Sequence, residues 1–79
     1  MSGKALPILL KRLKTLRKEQ GLSQERFAEL AGISYKYYQH IESGRKPDLR
    51  LSTLERLAAA YGLGVWQLLL PEDRFREMK

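Results

Sequence analysis

At 79 residues the chain can enclose one small hydrophobic core and not two, so a single domain over residues 1–79 is expected. The absence of cysteine excludes a disulfide framework, a thiolate metal site and a cysteine nucleophile, leaving packing to hold the fold, and it suits a reducing cytoplasm. A formal net charge of +6 and a pI near 9.9 favour polyanionic partners, either nucleic acid or an anionic membrane surface.

Leu6, Leu9, Leu10, Leu13 and Leu16 recur at three- and four-residue spacing with Lys11, Arg12, Lys14 and Lys18 between them, which predicts an amphipathic first helix from Pro7 to Gln20. Proline suits its first turn and Gly21 its stop, while the basic stripe reads as a solvated face. The apolar run of the N-terminus breaks into charge after Leu10, so no signal peptide is read, and no apolar run approaches the roughly 20 residues that cross a bilayer. Those leucines are needed for the core, which leaves no free apolar face to insert into a membrane surface.

Ser23 caps a second helix from Gln24 to Ala31, with Glu25 in the first turn matching the helix dipole, and Gly32 ends it. Ser34 caps a third helix reaching to about Ser43, closed by Gly44. Its Tyr38 and Ile41 face inward, while Tyr35, Lys36, Gln39, His40 and Ser43 face outward. Tyr37 is also read as exposed. Arg45 to Arg50 reads as a loop, Ser52 opens a fourth helix burying Leu54, Leu57, Ala58 and Tyr61, and Gly64 to Leu70 forms a fifth. The expected core spans about residues 6–70, with a charged tail over 71–79 that carries one aromatic, Phe75.

Two short helices joined by a tight turn form the geometry that lets one helix enter a DNA major groove while its neighbour braces it. Ala28 sits where these helices come closest, Gly32 takes the turn, and Phe27, Ile33, Tyr38 and Ile41 fill the core beneath. With two aspartates, one histidine, no cysteine and no glycine-rich phosphate loop, no constellation for acid-base, nucleophilic or metal chemistry is present. Neither enzyme activity, a cofactor, a metal nor a small-molecule ligand is therefore expected.

The string LKTLRKEQGLSQERFAELAGISYKYYQHIESGRKP, followed by TLERLAAAYGL, resembles the lambda-repressor-like, or Xre-type, helix-turn-helix regulators, and the run GLSQERFAELAGIS is its most specific part. The resemblance covers about Leu9 to Leu69. It implies an all-α, compact five-helix bundle and double-stranded DNA as the partner of a transcriptional regulator. Position by position, it implies base contacts from Tyr35, Lys36, Gln39 and His40 and phosphate contacts from Ser23, Gln24, Ser43, Arg45 and Lys46. It also implies an ion pair between Arg17 and Glu42 that fixes the recognition helix against the first helix.

Four features depart from the pattern. Tyr38 fills a slot usually held by a branched aliphatic residue, Gly64 replaces a serine-like cap, and the loop from Arg45 to Arg50 is slightly long. Trp66, where the family has a polar residue, either folds over Val65, Leu69 or Phe75 or joins Leu70 and Phe75 in a two-fold contact of a DNA-bound homodimer. A chain with no second domain is expected to be controlled through its concentration or dimerisation. The competing reading is a protein-interaction module of the antitoxin or coactivator type on the same fold, using exposed aromatic residues.

Overall fold

The computed structural model describes residues 4–46 and 48–77; Met1 to Gly3, Pro47, Met78 and Lys79 lie outside it, and with them the proline of the expected loop and the end of the expected tail. Among the described residues the chain forms six α-helices and no strand: α1 Ala5–Glu19, α2 Gln24–Ala31, α3 Tyr35–Glu42, α4 Leu51–Ala60, α5 Val65–Leu68 and α6 Glu72–Glu77. None of these helices is long and apolar enough to cross a membrane.

Local chemistry sets the helix ends. Pro7 lies in the first turn of α1, where backbone N–H groups have no intrahelical acceptor and a missing one costs nothing. The Ser23 hydroxyl accepts from the Arg26 N–H at 3.0 Å and the Ser34 hydroxyl from the Tyr37 N–H at 3.1 Å, so α2 and α3 both start on a serine cap. At the end of α2 the Ile33 N–H reaches the Ala28 carbonyl at 3.0 Å, a closure that needs the positive φ of 73° at Gly32. Gly44, at φ 82°, closes α3 in the same manner. Helix α4 begins at Leu51, one residue before the expected Ser52, with extended Arg50 as the preceding residue and no side-chain cap.

Leu9, Leu13 and Leu16 of α1 pack with Phe27, Ala28, Ala31, Tyr38, Ile41, Leu54, Leu57, Ala58 and Leu68. Phe27 is central: Tyr38 meets it edge-on with ring centroids 5.0 Å apart, and Tyr61 stacks on it at 4.6 Å. The Tyr38 and Tyr61 hydroxyls are buried without a hydrogen-bond partner. Tyr38 thus fills the slot of an aliphatic residue with its ring, and its hydroxyl remains orphaned.

Two expectations are corrected at the C-terminal end. Residues beyond Pro71 are not simply a charged tail, because Glu72–Glu77 folds as α6 and buries Phe75 to 5% exposure. Arg12 does not belong to a solvated stripe with Lys11, Lys14 and Lys18. Those lysines are exposed, whereas Arg12 is 3% exposed. Its guanidinium donates to the carbonyls of Gln67 at 2.8 Å, Leu68 at 3.1 Å and Leu70 at 2.7 Å, reaches Glu72 at 3.5 Å, and lies 3.9 Å from the centroid of the Phe75 ring. The Gln67 carbonyl also accepts from the Leu70 N–H at 3.4 Å; carbonyls at a helix end otherwise lack intrahelical donors, and a cation at a helix C-terminus is favoured by the dipole. Helix α5 accordingly stops at Leu68, short of the expected Leu70.

Replacing Arg12 with Met is expected to cost about 3 kcal/mol, because buried carbonyls lose their donor. Phe75→Ala is expected to cost a similar ~3 kcal/mol. Both are read from urea unfolding; losses within about 0.5 kcal/mol would show that α6 lies outside the cooperative unit.

Candidate nucleic-acid interface

Helix α3 lies on the surface with its inner face fixed. Tyr38, Ile41 and Glu42 are buried, whereas Tyr35, Lys36 and Gln39 are exposed and His40 is half-exposed. Glu42 anchors it from below. Its carboxylate, 4% exposed, accepts from Arg17 Nε at 3.1 Å, Arg17 Nη2 at 2.8 Å and Gln24 Nε2 at 3.0 Å. Arg17 also donates through Nη1 to the Leu22 carbonyl at 2.9 Å, so one guanidinium holds the end of α3 and the α1–α2 turn together.

Burial alone would raise the Glu42 carboxyl, but bonds from Arg17 and Gln24, with the Tyr38 hydroxyl nearby, outweigh it and hold the group below its ordinary range. The bond to Glu42 raises Arg17 in turn. Burial, reinforced by the Glu42 charge, keeps the Tyr38 phenol protonated, and burial pushes Tyr61 up to about 12.

Between the start of α2 and the outer face of α3 runs an open cleft of about 500 Å³ lined by Gln24, Lys36, Gln39, His40, Ser43 and Arg45. Six of the nine residues singled out for nucleic-acid contact thus meet in one place. The other three do not line it. Ser23 is engaged in capping α2, Tyr35 stands exposed at the start of α3, and Lys46 sits over the Tyr37 ring, 5.8 Å from its centroid. The Ser43 hydroxyl donates to the His40 carbonyl at 3.0 Å, so it would have to give up that bond to donate to a phosphate.

Two readings of the sequence missed their mark here. Tyr37 is half-buried, not exposed, its hydroxyl 3.5 Å from Thr53 Oγ1. The signal was present, since Tyr37 stands four residues before buried Ile41 on the same helix. The bond from Gln24 to Glu42 was also missed; nothing in the spacing announces it.

The indole of Trp66 covers Gly64: a Cβ on that glycine would fall 2.8 Å from Nε1. Two departures from the family pattern are therefore one feature; α5 has no side-chain cap, and the Gln67 side chain makes only the reciprocal half of a capping box by accepting from the Gly64 N–H at 2.8 Å. Trp66 nonetheless stays 63% exposed, beside a shallow cleft it shares with Leu70, Arg74 and Glu77. Phe75, expected beside it, is turned inward beneath Arg12 and is withdrawn from that surface.

A helix-turn-helix family model matches residues 13–65, from the middle of α1 to the start of α5. The chain belongs to the helix-turn-helix family. This helix-turn-helix chain is 44% identical over 55 residues to the HTH-type transcriptional regulator PuuR of Escherichia coli, a match covering 70% of the chain and 29% of that protein. A Neisseria hypothetical transcription factor from Neisseria meningitidis is 35% identical over 72 residues, covering 90% of the chain and 67% of the relative. The immunity repressor protein of Bacillus phage phi105 is 39% identical over 66 residues, 84% of the chain and 45% of its own length. The crystal structure of the hypothetical transcription factor NHTF from Neisseria superposes with a TM-score of 0.82 at 31% identity, covering 95% of this chain and 85% of that one. The chain thus spans less than a third of the length of PuuR, while the NHTF likeness extends over nearly all of this one. The lambda-repressor-like resemblance read from the sequence and the all-α fold both stand.

The Glu42 geometry has a pH signature. A carboxyl whose folded value is lowered contributes fully above its unfolded value, about 4.3, and loses that contribution as pH falls through the folded value. The stability gap between the parent and Glu42→Gln is therefore expected to be widest at neutral pH and to shrink below about pH 4. Melting curves of both proteins from neutral pH to well below about pH 4 test this; a gap independent of pH over that whole range would show that the carboxylate charge adds no stability.

Proposed function

We propose that the chain binds double-stranded DNA sequence-specifically, lays α3 in the major groove and regulates transcription from the cytoplasm, without catalysis of its own. The observation that carries this reading is the cleft between α2 and α3, where Lys36, His40 and Arg45 gather beside a helix whose outer face is polar and whose inner face is clamped. Membership of the helix-turn-helix family supports it, as do relatives whose names are those of transcriptional regulators and a repressor.

In this reading Lys36, Gln39 and His40 meet base edges from the middle of α3 and Tyr35 from its start. Lysine donates to guanine O6 and N7, glutamine pairs in bidentate fashion with adenine, and the tyrosine ring meets a thymine methyl. Arg45 and Lys46 grip phosphates beyond α3. The N-terminus of α2, with Ser23 and Gln24, faces a phosphate on the near side, where backbone N–H groups and the dipole favour an anion.

The size of the domain supports a homodimer on DNA. Two half-sites one helical turn apart are separated by about 34 Å. A domain of 31 × 27 × 19 Å in Cα extents then meets its copy across the dyad. Trp66 and Leu70 offer the apolar centre of such a contact, and the adjacent Arg74 and Glu77 give a patch that carries both signs of charge, as a self-complementary two-fold surface requires. The same exposed tryptophan is what favours the second reading, a protein-interaction module whose partner is a different protein.

Selection of bound duplexes from a random pool is expected to yield a palindromic or half-palindromic site. Its affinity should fall with salt at a log–log slope of about −3 or steeper, as three or more phosphate contacts dictate. Lys36→Ala should weaken binding to that site by about tenfold and relax the preference at one position, a loss of the size one base contact commands. Enrichment of no sequence would favour the protein-interaction reading instead. For the dimer, sedimentation of the DNA complex is expected to show two copies for the parent and one for Trp66→Ala; unchanged mass in the variant would remove Trp66 from the contact.

A further inference from the structure

Tyr37 lies on the flank of α3, outside the set of expected base contacts, and packing against the core accounts for only part of its surroundings. Its N–H is held by the Ser34 cap, its ring packs against the core from the flank of α3, and its hydroxyl lies 3.5 Å from Thr53 Oγ1 in the first turn of α4. The Lys46 ammonium rests over the face of the same ring, 5.8 Å from its centroid. One aromatic side chain therefore touches the start of α4 and the loop that connects α3 to it.

The chemistry of that contact suits a phosphate anchor. A lysine on an exposed loop has many rotamers to lose when it docks on an anion. A carboxylate partner would hold it still but cancel its charge. A ring face also attracts the ammonium, within the range of about 6 Å over which the quadrupole acts, and leaves the net charge and the outward N–H donors intact.

We propose that Tyr37 is a positioning residue for DNA binding: its ring pre-places the Lys46 ammonium for a backbone phosphate on the far side of the groove, without neutralising it. The inference rests on the DNA-binding reading above and adds to it a residue that does not itself touch DNA.

The test is titration of a mixed-sequence duplex across a salt series with the parent, Tyr37→Phe, Tyr37→Leu, Lys46→Gln and the Tyr37→Leu/Lys46→Gln pair. Tyr37→Phe keeps the ring and is expected to bind as the parent does. Tyr37→Leu is expected to bind about threefold more weakly, the scale of an exposed cation–π contact. Its salt slope should become shallower, toward the loss of about 0.9 that removal of one phosphate contact gives in Lys46→Gln. The double variant should bind no more weakly than Lys46→Gln alone. A purely structural role for Tyr37 would lower affinity at unchanged slope, or its effect would multiply with that of Lys46→Gln, and either result overturns the inference. An independent measurement needs no variant to fold: the Lys46 Hε protons of the parent should be shifted upfield by the ring current, and ordinary lysine shifts there would also overturn it. Absence of salt-sensitive duplex binding by the parent would sink the DNA-binding reading itself, a failure distinct from a slope that does not change.

Discussion

The fold turns on one buried carboxylate. Glu42 lies at the C-terminal end of α3, and through Arg17 and Gln24 it is tied to α1 and to the first residue of α2. Burying a charge is costly unless it is paired and hydrogen-bonded, and here both oxygens are engaged, Oε1 twice. The net gain in stability from such a cluster is small. What it does fix is geometry, because Arg17 presents a planar fork that fits the carboxylate in one orientation, while its remaining amine holds the Leu22 carbonyl. The angle between α2 and α3, and hence the direction in which Lys36, Gln39 and His40 project, follows from that arrangement.

A second arginine on the same helix does the equivalent task at the other end of the chain. Arg12 stands five residues before Arg17, most of one and a half turns, and points into the α5–α6 connection instead of α3. Its partners are backbone carbonyls, a carboxylate and an aromatic face, a set that a lysine with its compact ammonium could not serve together. Helix α1 thereby becomes the common reference for two distant surfaces, the outer face of α3 and the patch around Trp66. If each half of a dimer must present α3 at a fixed spacing, a rigid post joining the reading face to the pairing face is what keeps that spacing.

Most of the fold was legible because the chain punctuates itself. Serine caps at Ser23 and Ser34 and glycine stops at Gly32 and Gly44 bound α2 to the residue and α3 to within one, since capping depends on a few neighbouring atoms. The failures share a cause of a different kind. The charge of Arg12, the hydroxyl of Tyr37 and the charged neighbours of Phe75 all argue for solvent, whereas burial depends on partners far along the chain: the carbonyls of Gln67 to Leu70 for Arg12, Thr53 for Tyr37, and Arg12 for Phe75. Gly64 and Trp66 looked like two anomalies and are one, which became visible only when the ring could be placed over the glycine. In the cleft, the residue types were legible and their engagements were not. Ser23 and Ser43 direct their hydroxyls to helix ends, and Gln24 spends an N–H on Glu42.

Those engagements bear on how a cleft whose lining includes a residue bonded to a buried carboxylate can attract a polyanion. Glu42 accepts from Gln24, which itself lines the cleft, so an uncompensated charge there would repel a phosphate brought to the start of α2. Arg17 removes the conflict by matching the charge at 2.8 Å, with the carboxylate buried and the guanidinium largely so. The bond Gln24 gives to Glu42 orients its amide and leaves a second N–H for the cleft side. Lys36 and Arg45 then set the sign of the potential that an approaching strand meets. The same contact that fixes α3 in place therefore also neutralises a negative charge beneath it, and loss of Arg17 would expose that charge as well as free the helix.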